Sequence, residues 1–143
     1  MNLVDANVLL YAVNEDAHHH RGARAWLDEA LSGAETVGFS WLVLLSFVRV
    51  STKVGLLPNP LPIDGAMSRV EAWLAAGPAL VVEPSVDHVR ILSGLLADLG
   101  AGGNLVNDAH LAALAVEHRG RVVSYDSDFG RFRDIEWIVP GTR

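Results

Sequence analysis

Short apolar runs of strand length alternate with longer stretches of helical periodicity along the chain, and that alternation predicts an α/β fold. Asn2, Leu3 and Val4 open as a buried strand that Asp5 breaks at once. Asn14, Glu15 and Asp16 carry turn and cap signals, and a helix follows with Ala23, Trp26, Leu27, Ala30 and Leu31 on one face. Residues 36–39 suit a second strand, after which Ser40 can cap the next helix. Residues 41–52 are apolar almost all round, which predicts a helix buried on most of its surface, with Arg49 and Lys53 on its one polar edge. Ser46, in the middle of that helix, is expected to bond back to its own backbone. Pro58, Pro60 and Pro62 stiffen a short connection.

From an expected cap at Asp64, the residues Ala66, Val70, Trp73 and Leu74 form another stripe, closed by Gly77. Residues 79–83 read as the third strand. Ser85 is then placed to cap a helix bearing Val89, Leu92, Leu96 and Leu99 and ending at Gly100. An alanine-rich helix over 105–118 ends at Gly120, a fourth strand covers 121–125, and residues 135–139 supply a fifth. Strands separated by helices of this length pair in parallel through right-handed crossovers, so the expected core is a mainly parallel sheet of four to five strands.

Composition narrows the chemistry. In 143 residues, half of them apolar and 20% charged, there is material for one domain spanning 1–143 and no apolar run of bilayer length. A cytoplasmic chain with no membrane association is the expectation. The absence of cysteine excludes a disulfide framework, a Cys-ligated zinc and a thiol nucleophile. A net charge of -6 argues against broad adhesion to nucleic acid, while leaving room for a local basic rim around an acidic cleft. The consecutive His18, His19 and His20 point in different directions on a helix start and read as solvated, not as a metal site. The tryptophans Trp26, Trp41, Trp73 and Trp137 all fit core or half-buried positions and offer no platform for stacking bases.

Carboxylates at strand ends are the informative feature. Asp5 closes the first strand, Asp126 and Asp128 follow the fourth, and Asp108 lies in the first turn of the helix between. In a parallel sheet the strand ends bearing Asp5 and Asp126 lie on one edge; if those two strands are neighbours their carboxylates meet, and Asp108, on the helix that feeds the later strand, completes the cluster. Carboxylates gathered without a nearby cation repel and take up protons, and a divalent ion removes that penalty. Oxygen-only ligation selects Mg2+ or Mn2+, a site suited to activating water against a phosphodiester. Arg49, Lys53, Arg131 and Arg133 are the cations placed to rim such a cleft and meet phosphates. His110, two residues beyond Asp108, faces elsewhere on the helix and is not expected to serve as a base.

Three stretches carry a resemblance: 4–9 (Val-Asp-Ala-Asn-Val-Leu), 107–115 (Asn-Asp-Ala-His-Leu-Ala-Ala-Leu-Ala) and 124–129 (Ser-Tyr-Asp-Ser-Asp-Phe). In this order the chain resembles the PIN-domain ribonucleases, and in particular the VapC toxins of bacterial toxin-antitoxin pairs. The resemblance implies a three-layer α/β/α PIN-like fold and Mg2+-dependent endonucleolytic cleavage of structured RNA such as tRNA or ribosomal RNA. It also implies neutralisation by a cognate VapB-type antitoxin and, often, a homodimer. By motif, Asp5, Asp108 and Asp126 take the metal-binding roles, Asp128 supports them, and Asn7 and Ser124 stand behind the ligands.

One departure is visible. The family's usual second acid, a glutamate on the helix after the second strand, falls here on Ser46. That favours one tightly held ion over two, with Asp128 or a water held by Ser46 filling the gap. Two rival readings follow: a member that binds an antitoxin without catalysis, and a haloacid-dehalogenase-type phosphatase. The second rival requires an aspartate where this chain has Asn7.

Overall fold

The computed structural model describes residues 1–141. Five strands, β1 (Asn2–Val4), β2 (Val37–Phe39), β3 (Ala79–Val81), β4 (Arg121–Val123) and β5 (Trp137–Ile138), form one sheet in the order β3-β2-β1-β4-β5. Every pairing is parallel, and β1 lies between its partners with Asn2 opposite Val37 on one side and Arg121 on the other. Leu3, Val4, Val37, Phe39, Val122 and Val123 are fully buried, as expected of central parallel strands covered on both faces.

Two helices fill each of the three long crossovers: α1 (Ala6–Val13) and α2 (His20–Leu31), α3 (Trp41–Ser51) and α4 (Ile63–Ala75), and α5 (His88–Leu99) and α6 (Val106–Glu117). The first two crossovers step outward from β1 and the third returns past it to β4. Right-handed connection therefore puts α1 to α4 on one face and α5 with α6 on the other. The packing agrees, since α1 contacts α2 and α3, α3 contacts α4, and α5 packs on α6. The result is the three-layer α/β/α arrangement. Chain direction reverses between β1 and β4, the position at which open α/β sheets leave a crevice at their carboxyl edge.

The buried face of α6 is Ala109, Leu111, Ala112, Ala113, Leu114 and Ala115, and its small side chains allow close approach to β4. At the turn into β4, Gly120 is required by space: a β-carbon there would sit 2.7 Å from Leu3 Cδ1 and 2.9 Å from the Met1 carbonyl oxygen. Gly100 ends α5 in the left-handed conformation, φ 63°.

Several expectations are corrected. Residues 6–13, unassigned from the sequence pattern, form α1: the Asp5 side chain accepts from the Ala6 N–H, and the chain turns from strand into helix with no loop. Strands β3, β4 and β5 are shorter than expected, because pairing stops where the flanking turns begin. Helix α3 is not buried on most of its surface; Val43, Leu44, Phe47 and Ser51 face inward, but Trp41 and Leu45 are 47% and 61% exposed. Trp41 thus falls outside the expected half-buried set. The Ser46 hydroxyl makes no bond back to its helix, and it is Thr52 that bonds the Val48 carbonyl. Asp64 lies within the first turn of α4, which Pro62 precedes, and Ser85 stands two residues ahead of Asp87, the residue flanking α5. Among the described residues, no helix is long and apolar enough to cross a membrane.

Candidate metal centre

Each side chain of the site is delivered by a strand end or a helix start at the reversal point. Asp5 follows β1 and caps α1; Ser124 and Asp126 follow β4; Asp128 lies in the short 3-10 turn Ser127–Arg131; Asp108 projects from the first turn of α6. Carboxylate oxygens of Asp108, Asp126 and Asp128 all lie within 4.8 Å of one another. Each of the three is partly exposed.

Asp5 stands beside that set, not within it. Its Oδ1 accepts from the Ala6 N–H at 2.7 Å, and its Oδ2 accepts from the Ser124 hydroxyl at 2.7 Å and from the Asn7 amide at 3.3 Å. Both oxygens are thereby engaged by the protein. Ser124 also receives the Asn7 amide at 3.0 Å and the Asp126 N–H at 3.0 Å, so one hydroxyl ties Asp5 to the loop bearing Asp126. Asn7 accepts the Tyr125 N–H through Oδ1 at 3.1 Å, and the Asp128 N–H donates to Asp126 Oδ1 at 2.9 Å. From β5, the Trp137 indole donates to the Ser124 carbonyl at 2.9 Å.

Electrostatics follow from this crowding. The Asp108 carboxyl is pushed up from 3.8 to about 7, first by desolvation and then by Asp126, Asp5 and Asp128 in turn. Burial raises Asp5 as well; the bonds from Ser124 and Ala6 oppose that, and Asp126 adds to it. That the Asp108 carboxyl is held up near neutral pH marks a place short of positive charge. Three oxygen donors from three carboxylates suit a hard divalent cation, so the residues present fit a metal of the Mg2+ or Mn2+ class.

The cations distribute unevenly. Arg131 reaches Asp128 at 3.8 Å, so the cluster is not free of positive neighbours as the sequence suggested. Arg49, Lys53 and Arg133 are exposed and form no side-chain ion pair among the described residues. Ser46 is half-buried on α3 and takes no part in the bonding around Asp5 and Asp126. Asn7 uses donor and acceptor together, toward Asp5 and Tyr125; a carboxylate there, which the phosphatase reading needs, would place a second negative charge against Asp5.

Two features escaped the sequence reading. His110 belongs to a separate chain of bonds, its Nδ1 meeting His88 Nε2 at 2.9 Å while His88 Nδ1 meets Glu117. The histidines at the start of α2 are not merely solvated either: His20 Nδ1 lies 2.8 Å from the Tyr11 carbonyl, and the ring of His19, just ahead of the helix, stacks on Tyr125. Neither contact has a local sequence signal, because the partners lie 22 and 106 positions apart.

Comparison with known proteins agrees with the fold. Residues 3–135 match the PIN domain family. Over 140 residues the chain is 60% identical to Ribonuclease VapC37 of Mycobacterium tuberculosis, covering 98% of this chain and 97% of that protein. Among solved structures it resembles VapBC2 from Rickettsia felis bound to a DNA fragment from their promoter, with TM-score 0.72, 19% identity, and 97% and 98% of the two chains covered. It also resembles VapC20 of Mycobacterium tuberculosis, described as a sarcin-ricin loop cleaving toxin, with TM-score 0.68, 16% identity, and 95% and 99% covered.

Proposed function

The chain belongs to the PIN-domain family as a VapC-type ribonuclease, and from that premise we propose a Mg2+-dependent endoribonuclease toxin that cuts structured RNA, tRNA or ribosomal RNA. A VapB-type antitoxin holds it inactive in the cytoplasm, and it works as a homodimer. The observation that carries the reading is the convergence of Asp108, Asp126 and Asp128 on one point at the sheet's reversal. The family, the 60% identical ribonuclease and the description of VapC20 as a loop-cleaving toxin support the substrate class.

Asp108 and Asp126 would hold the cation with Asp5, which the Ser124 hydroxyl ties to the Asp126 loop, and Asp128 would support them; Mn2+ would substitute for Mg2+. When bound, the ion supplies the positive charge that a phosphodiester needs as its transition state gathers negative charge. The chain's own residues supply order. Ser124 and Asn7 fix the Asp5 carboxylate, and the Asp128 N–H fixes Asp126, so little reorganisation is left for the reaction step. With Ser46 at the place of the family's glutamate, a single tightly held ion is the arrangement proposed, Asp128 filling the gap that the missing acid leaves. Arg131, the cation in ion-pair reach of the cluster among the described residues, is the first candidate for a phosphate contact, ahead of Arg49, Lys53 and Arg133. Exposed apolar side chains on α3 and α4, among them Leu45 and Ile63, support a protein partner.

Digestion of total tRNA and ribosomal RNA by the purified protein tests the reading. Discrete new 5′ ends are expected in Mg2+ and in Mn2+, none in EDTA, and none from Asp126→Asn. Identical products from Asp126→Asn, or hydrolysis of a small phosphate ester with RNA left intact, would overturn it. In cells, growth arrest on expression and its relief by Asp108→Ala separate an active toxin from a protein that only binds an antitoxin.

A further inference from the structure

Tyr125 lies between two residues of the metal-centre network, Ser124 and Asp126, and its N–H is held by Asn7. Its ring does not enter the core. It lies against the start of α2, with its hydroxyl 3.3 Å from where a β-carbon on Gly22 would stand, so that glycine leaves room for the ring. On Tyr125 stacks the His19 imidazole, centroids 4.2 Å apart and planes 18° from parallel. Tyr11 braces both rings from the side, 5.3 Å from Tyr125 and 5.6 Å from His19. His18 meets His19 edge-on at 4.9 Å. Tyr11 and Tyr125 are half-buried, whereas His18 and His19 are exposed, so the pile of rings is anchored at the metal centre and ends in solvent. The neighbouring His20 is tied to the Tyr11 carbonyl, which fixes the start of α2 beneath the pile.

A parallel ring pair, Tyr125 and His19, continued by the edge-on His18 into solvent offers ordered aromatic surface to an unstacked base, since every base has a π-face to add. A protein of net charge -6 attracts a phosphate backbone weakly as a whole, and stacking supplies binding that charge does not. We propose that the ring stack ending in His18 and His19 is a docking platform for a nucleobase of the RNA, one that seats the chain beside the acidic cluster. This rests on the ribonuclease reading above. The platform acts by positioning, and its residues take no part in bond breaking.

The test uses the Asp108→Asn protein in Mg2+, which binds without cutting. Its affinity is measured by fluorescence anisotropy for a short labelled oligo(rA) and for an abasic chain of equal length. Oligo(rA) is expected to bind about tenfold more tightly. The double change His18→Ala, His19→Ala removes that preference, and His18→Phe, His19→Phe, which keeps rings and discards charge, restores it. Equal affinity for the two chains overturns the proposal. So does equal weakening by the alanine and phenylalanine pairs, which assigns the histidines to phosphate contacts. Failure of either chain to bind, while the parent still cuts total tRNA, rejects the platform and leaves the nuclease reading standing; loss of tRNA cleavage in the parent would strike that reading itself.

Discussion

Two carboxylates on the same helix live under opposite rules. Asp108, in the first turn of α6, faces Asp126, Asp5 and Asp128 and is held up at about 7. Glu117, at the helix's last residue, accepts from the Ser85 N–H at 2.6 Å and from His88, which in turn meets His110. Burial alone would raise Glu117, yet the bonds from Ser85 and His88 outweigh it and hold the carboxyl below its usual 4.5. The histidine at the end of that chain, His110, is lowered by burial and by His88. One end of α6 is short of positive charge and proton donors; the other is fully supplied within the chain. A structural carboxylate brings its donors with it, and a functional one leaves its demand for something outside.

The sharpest way to break this contrast is to remove a charge at each end and measure both activity and stability. Asp126→Asn is expected to lower kcat/KM for RNA by about a thousandfold or more, since several kcal/mol of charge stabilisation depend on the ion. Asn7→Ala or Ser124→Ala, which loosen Asp5 without taking a carboxylate away, should lower it by about 10- to 100-fold. Cleavage kinetics with Mg2+ titrated at each step check the order, and a smaller loss for Asp126→Asn than for Asn7→Ala would contradict it.

At the other end, Glu117→Gln is expected to leave cleavage within about twofold and to cost about 2 kcal/mol of stability, because His88 and the Ser85 N–H lose a charged acceptor. Thermal unfolding would then shift down by about 6–8 °C. A carboxyl held below its ordinary value contributes stability that is present above that value and is lost as pH falls through its folded one. The gap between parent and variant should therefore persist down to about pH 4.5 and close below it.

The same contrast explains what the sequence could reveal. Strand and helix periods gave the α/β alternation, and crossover rules put the strand ends bearing Asp5 and Asp126 on one edge; that β1 and β4 are neighbours lies in the strand order, which no local period records. The carboxylates were legible because a charge set against buried strands is conspicuous. Helix α1 was not, since its signals overlap those of the strand before it: Asp5 serves as strand end and helix cap at once. Exposure of Trp41 and Leu45 was hidden because an apolar residue reads as core whether or not anything covers it. Glu117 with His88, and Tyr125 with His19, are pairings between distant segments, created by the packing of α5 on α6 and by the approach of the turn before α2 to the turn after β4.

Acidification should pull the two ends apart. For a carboxyl raised in the fold, stability is fully present below its unfolded value and is lost as pH rises through its folded value. Without metal, Asp108 therefore costs the fold increasingly between 3.8 and about 7. Asp108→Asn is expected to unfold a few degrees above the parent at pH 7.5 in EDTA and level with it near pH 4. Mg2+ should raise the parent's Tm at pH 7.5 and do little at pH 5, where protons compete for the site. Parallel melting curves across pH, with and without Mg2+, decide the matter; a Mg2+ effect equally large at pH 5 would mean that Asp108 is not among the groups the ion displaces protons from.

The smallest effect concerns Arg131, the one cation paired with the acidic end among the described residues. Arg131 lies 3.8 Å from Asp128 with both side chains about half exposed, so the pair contributes at most about 0.5 kcal/mol and Arg131→Ala should scarcely move Tm. Its effect on RNA separates two roles that the geometry allows. If Arg131 serves only to balance Asp128, removing it sharpens the cluster's hunger for a cation, and the Mg2+ concentration giving half-maximal cleavage falls. If it leaves Asp128 to meet a phosphate once the ion is bound, KM for RNA rises several-fold, kcat holds, and binding loses about one unit of its logarithmic salt dependence. The second outcome is the expected one, because an ion bound by Asp128 competes directly with the guanidinium and frees it for the substrate. Cleavage measured over a range of KCl concentrations in saturating Mg2+ distinguishes them, and an unchanged KM with an unchanged salt slope would exclude the phosphate contact.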